Sequence, residues 1–246
     1  ATYMQAWMEK HRGDYRVIYE NITPQYHMYA VQGPKSRDMV NALVEKPVDD
    51  LKFFSFEENK AGDLKVMVNR AGFTGEKLGY EIYVAADQAD TMEEKLRAAG
   101  EPFGAVEVTE FQVMAWTLPT EAGFYYMRDL RHANPLEVGL DKGIDWDKEF
   151  IGKEALLQVR EQGPAREMLG FEVPEADIYI QSKQYGGPGQ AVILNGKEIG
   201  RVSKLVYSYV KETNIGYILA KKGVLKPGDH LKIHGYEAVI TEKNWL

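Results

Sequence analysis

Apolar residues recur along this chain in two different periods, and the change from one to the other divides it. At the start, Met4, Trp7, Met8 and His11 fall at helical spacing, and Gly13 is placed to end the helix. YRVIYENIT (Tyr15 to Thr23) and YHMYAVQG (Tyr26 to Gly33) read as two strands turning at Thr23-Pro24, and Gly33-Pro34 breaks the second. Ser36 is placed to cap a helix with Met39, Val40, Leu43 and Val44 on one face. DDLKFFSFEE and GDLKVMVNRAGFTG predict further strands. GYEIYVA alternates, with Tyr80, Ile82 and Val84 facing one way and Glu81 and Tyr83 the other. ADQADTMEEKLRAAG predicts a helix capped by Asp87 or Asp90 and ended by Gly100. EVTEFQVMAWTL predicts helix up to Pro119.

From there to Asp147 the chain is irregular and rich in Gly, Pro and aromatics, until KEFIGKEALLQVREQG restores a helix between Gly152 and Gly163. Then short strands divided by turns take over: REMLGFEV, GQAVILNGKEIGRVSKL, NIGYILA and HLKIHGYEAVITE. Asn195-Gly196 between apolar runs is a hairpin signal. The pattern predicts an α+β fold over residues 1–163 and a small all-β, barrel-like domain over residues 164–246.

The chain has 246 residues, 44% of them hydrophobic, enough for a sizeable core in one large or two smaller domains. Its net charge of -7 and the lack of a basic run argue against a nucleic-acid partner. No apolar run is long enough for a membrane-spanning helix, and the N-terminus lacks the pattern of a signal peptide. With no cysteine, disulfides, thiolate metal sites and cysteine nucleophiles are excluded, which fits a cytoplasmic protein. His230 and His234 are four apart, but on a strand and turn that spacing gives no shared helical face for a metal.

Two carboxylates draw attention. Glu81 lies inside an apolar alternation. It either faces water, as strand acids usually do, or accepts hydrogen bonds from a ligand with adjacent N–H groups, since its two oxygens can take a pair of donors. Glu121 sits in TLPTEAGFYYM, which is either a turn packed on the core by Phe124 and Tyr126 or a loop lining a ligand.

Five stretches, in order, resemble the glycine cleavage T-protein family of tetrahydrofolate-dependent aminomethyltransferases and demethylases. They are YAVQGPKS (Tyr29 to Ser36), RAGFTGEKLGYEIYV (Arg70 to Val84), LPTEAG (Leu118 to Gly123), NPLEVGLDKGIDWDKEFIGKEAL (Asn134 to Leu156) and GKEIGRVSKLVYSYVKETNIGYI (Gly196 to Ile218). The resemblance implies a three-subdomain cloverleaf around a folate channel, closed by a C-terminal barrel. It also implies that Glu81 holds the pterin end of tetrahydrofolate, in a pocket shaped by Phe73 and Thr74 and shared with Tyr83 and Glu121.

Three departures qualify it. A family arginine that binds folate falls at Ala115, followed by Trp116 to Pro119, so the folate tail needs another cation, for which Arg128 and Arg131 are near in sequence. The loop after EAG looks closer to the demethylase branches, which implies a small methyl donor in place of an aminomethyl carrier. The stretch holding the family's catalytic aspartate has no counterpart here, so no catalytic residue is assigned. The chain is expected to associate with a protein partner or N-terminal fragment completing the fold. The alternative is a non-catalytic folate-binding subunit.

Overall fold

A computed structural model describes residues 2–108, 113–175 and 189–246. It divides into two compact units, one of residues 1–72 and 76–107, the other of residues 73–75 and 108–246. The change of texture near Gln162-Ala165 therefore falls inside the second unit. Residues before it, among them Trp116 and Val138, share a core with Met168, Val206, Ile215 and Tyr217 after it.

The first unit begins with α1 (Thr2–His11), followed by β1 (Tyr26–Gln32), α2 (Ser36–Leu43), β2 (Phe56–Ala61), β3 (Leu64–Asn69), β4 (Gly79–Ala85) and α3 (Ala89–Gly100). The strands form one antiparallel sheet in the order β1-β4-β3-β2. Its alternation works as the sequence predicts. Val66, Val68, Tyr80, Ile82 and Val84 are buried with Met39, Val40, Met92 and Leu96 of the two helices. The opposite face carries Phe56, Met67, Asn69, Glu81 and Tyr83.

Two expected strands differ. Residues 15–22 form none, and Ile18 is 99% exposed. Apolar alternation alone does not hold a strand without a ladder partner, and among the described residues the one neighbour of β1 is β4. The strand expected from Asp49 starts only at Phe56, because Phe54 takes a left-handed backbone (φ 58), costly for a bulky residue. The expected side-chain caps are also absent. Ser36 lies inside its helix and donates through Oγ to Leu78 O, and Gln88 precedes α3 without a side-chain cap.

The motif glycines of the first unit meet the VQGP motif. Gln32 Nε2 donates to the carbonyls of Ala71 (3.3 Å) and Tyr80 (3.4 Å), and its amide lies against Gly72 and Gly79. A Cβ at either glycine would collide with that amide.

In the second unit, a π-helical turn Val113–Thr117 leads into α4 (Leu118–Glu121), with Pro119 in the first turn, where a missing N–H costs little. Of the helix expected before it, Glu107 and Val108 are not helical, and residues 109–112 lie outside the described residues. Then come α5 (Lys153–Gln162), β5 (Arg166–Val173), β6 (Ala191–Leu194), β7 (Lys197–Ser208), β8 (Thr213–Lys221), β9 (His230–Ile233) and β10 (Tyr236–Thr241). Asn195 (φ 51) and Gly196 (φ 74) make the expected hairpin between β6 and β7. The sheet runs β6-β7-β8-β5-β10-β9, and its edge strands β6 and β9 approach one another, so it nearly closes into a barrel. Among the described residues no helix is long and apolar enough to cross a membrane.

One ion pair ties the irregular stretch to this sheet. Arg166 grips Glu137 with Nε on Oε1 and Nη2 on Oε2, both at 2.8 Å, while Asn134 N–H adds a third donor. Burial alone would raise the Glu137 carboxyl, but Arg166 and the Asn134 N–H outweigh it and hold it below its ordinary value. A depressed carboxyl stabilises the fold above its unfolded value, and that contribution is lost as pH falls through the folded one. Urea unfolding followed from about pH 6 down to about pH 3 should therefore show falling stability, with a shallower slope in Glu137→Gln. Equal slopes would remove Glu137 from the acid response.

Candidate functional site

The open face of the first unit's sheet is where chemistry-bearing residues gather. Asn69 on β3 sits directly opposite Glu81 on β4, and Tyr83 follows two residues on, so all three share that face. Asn69 Nδ2 and Tyr83 Oη each lie 3.0 Å from Glu81 Oε2 and donate to it. Burial, and then the Glu81 carboxylate, raise the Tyr83 phenol above its ordinary value, so it keeps the proton it donates. Both donors fall on one oxygen. Among the described residues Oε1 accepts no hydrogen bond from the protein.

Beside this triad lies an open cleft of about 400 Å³ lined by Phe54, Phe56, Met67, Asn69 and Tyr83. The left-handed turn at Phe54 and its contact with Phe53, rings 4.1 Å apart, hold the aromatic wall. The cleft therefore joins apolar walls to a rim of oxygen acceptors. A flat heteroaromatic ring with N–H donors on its edge complements those acceptors, and a pterin is such a ring.

The structure brings Glu81 and Tyr83 together as expected. The other three candidates belong to the second unit. Phe73 is 39% exposed and Thr74 is buried, on a turn whose Gly75 (φ 87) packs against Ala122 so tightly that a Cβ would collide with it. Glu121 is 1% exposed. Its Oε1 accepts from Ser208 Oγ (2.6 Å) and Val210 N–H (3.4 Å), and its carbonyl accepts from Trp245 N–H (2.9 Å). That carboxylate is engaged inside the unit's core, whereas Phe124 and Tyr126, expected to pack the turn, are exposed. Ala115, where the family arginine falls, is 3% exposed in the same core. Arg128 lies over the Trp116 ring (5.1 Å) and donates to Ser203 O, and Arg131 is exposed.

Asn69, Phe54, Phe56 and Met67 escaped the sequence reading. One signal was present: Met67 is apolar on the polar side of LKVMVN, opposite Leu64, Val66 and Val68.

Comparison with known proteins bears on the family and the fold. The family profile described as the GCVT N-terminal domain matches residues 1–148. An aminomethyltransferase of Caldanaerobacter subterraneus subsp. tengcongensis is 33% identical over 97% of this chain and 63% of its own length. One of Thermoanaerobacter sp. (strain X514) is 32% identical over 97% and 64%. The chain thus spans somewhat less than two thirds of these relatives. The crystal structure of glycine cleavage system aminomethyltransferase T from Bartonella henselae superposes with a TM-score of 0.80 at 21% identity, covering 100% of this chain and 66% of that one. At that identity the likeness concerns the fold, and it matches the mixed helical and antiparallel architecture found here. Matched over more than half of its length by that profile, the chain belongs to the glycine cleavage T-protein family.

Proposed function

We propose that this chain is the folate-binding part of a tetrahydrofolate-dependent one-carbon transferase, which moves a methyl or aminomethyl unit from a small methylated donor. The observation that carries this reading is the Glu81 carboxylate fixed by Asn69 and Tyr83 at the edge of an aromatic cleft. Tetrahydrofolate, when bound, supplies N5 as the acceptor of the one-carbon unit. The chain's own contribution is positional. Glu81 accepts N–H groups of the pterin edge, and Phe54, Phe56 and Met67 offer apolar surface to the ring. Holding reactants in one orientation is itself a large source of rate. A methyl donor is favoured over an aminomethyl carrier because the family arginine that the resemblance implies is replaced here by Ala115, which lies with Trp116 in an apolar core.

Calorimetric titration with tetrahydrofolate tests the reading. Glu81→Gln should weaken binding by about 1–3 kcal/mol, through loss of charge-assisted hydrogen bonds. Glu81 is half-buried, so the variant should fold, which circular dichroism would check. Equal affinity in the two proteins would remove Glu81 from the site. Wild-type binding without turnover of any methylated amine, sulfonium or methyl ether would instead favour a binding subunit.

A further inference from the structure

Asn69 touches both parts of the site, since it bonds to Glu81 and lines the cleft. The chemistry of that bond fixes its orientation. An ionised carboxylate can only accept, so the amide must turn its NH2 toward Glu81. Its carbonyl Oδ1 is then directed away from Glu81, and among the described residues it accepts no hydrogen bond from the protein. Tyr83 is constrained in the same way. Its one proton goes to Glu81, so its oxygen has only lone pairs left. Glu81 Oε2 already takes two donors, leaving Oε1 as the carboxylate's available acceptor. The polar rim of the cleft is therefore made of acceptors alone, and Asn69 supplies one that carries no charge.

We infer that Asn69 is a specificity-determining residue: its amide N–H2 pins Glu81, and its Oδ1 accepts a second N–H from the edge of the bound ring. The inference rests on the folate reading above and deepens it. The ligand's edge is read by two acceptors on neighbouring strands, Glu81 Oε1 and Asn69 Oδ1, which face across the sheet in register. A ring that offers two separate donors satisfies both. A ring that lacks one leaves an acceptor desolvated and unpartnered, and loses affinity for that reason. Stacking on Phe54, Phe56 and Met67 does not depend on the edge and so does not discriminate.

The test compares two probes, tetrahydrofolate and its 2-desamino analogue, titrated calorimetrically into wild type, Asn69→Leu and Tyr83→Phe. Leucine matches asparagine in size and suits a half-exposed strand position, and thermal unfolding would check that each variant is folded. The wild type should prefer the 2-amino ligand by about tenfold, the effect of one well-made hydrogen bond. Asn69→Leu should lose most of that preference: it weakens the analogue about as much as Tyr83→Phe does, through the looser Glu81, and weakens tetrahydrofolate about tenfold more. Tyr83→Phe removes one hold on Glu81 but leaves the amide, so its affinity for both ligands should fall while the ratio stays. A merely structural Asn69 would leave the ratio unmoved. Equal weakening of both ligands in Asn69→Leu would overturn the inference, and so would unchanged affinities. In either case wild-type binding of tetrahydrofolate would leave the folate reading standing. If the wild type binds neither probe, the folate reading fails and the inference falls with it.

Discussion

Lys204→Met should destabilise the second unit by about 3–5 kcal/mol, the cost of leaving one member of a buried ion pair alone. Lys204 is 3% exposed and its Nζ lies 2.7 Å from Oδ2 of Asp129, itself 1% exposed. The pair is poorly served. Their approach lacks hydrogen-bond geometry, and among the described residues Asp129 Oδ1 has no partner either. Burial raises the Asp129 carboxyl and lowers the Lys204 amine, so each is pushed toward neutrality and is kept charged chiefly by the other. Methionine fills much the same volume, so the loss measures charge and not packing. The double variant Asp129→Asn/Lys204→Met should recover most of the stability, because neither residue is then ionic and asparagine still offers an oxygen to Tyr126 N–H (2.8 Å). Urea unfolding of the three proteins decides it. A double variant no more stable than the single one would mean that the pair is not what the methionine disturbs.

The second large effect is expected at Glu121. Truncation to alanine should cost about 2–4 kcal/mol, from a small cavity plus the stranded Ser208 hydroxyl and Val210 N–H. Glu121→Gln keeps an acceptor oxygen and should cost less, about 1 kcal/mol. The neighbouring Thr120 carbonyl accepts from Tyr217 Oη, so this short helix is fastened to β7, β8 and the tail at Trp245 together. Thermal unfolding provides the measurement. An alanine variant as stable as the wild type would return Glu121 to the candidates for ligand contact.

These two sites show what the sequence held and what it hid. Strand β4 was legible because its period of two is local: Tyr80, Ile82 and Val84 inside, Glu81 and Tyr83 outside. The Asn195-Gly196 hairpin and α5 were legible for the same reason, each carried by adjacent residues. Glu121 was ambiguous because its partner Ser208 is 87 positions away. Lys204 and Asp129 gave no signal, for nothing in RVSKLVYS marks the lysine as buried on a strand whose alternation a bulge shifts between Val202 and Lys204. Asn69 needed the register between β3 and β4, which neither strand states alone. The resemblance to the family identified the motif around Glu81. The residue that orients this carboxylate lies one position before that motif begins.

The clasp of Gln32 over Gly72 and Gly79 bears on how such a chain can change over time. The three residues come from separate stretches, yet any side chain at either glycine would need the glutamine to leave first. A single substitution there must swing the end of that side chain away from the carbonyls of Ala71 and Tyr80, and a shorter residue at position 32 would remove the conflict. In descendants of this chain a side chain gained at either glycine should therefore arrive together with a change at position 32, the three positions drifting as a set.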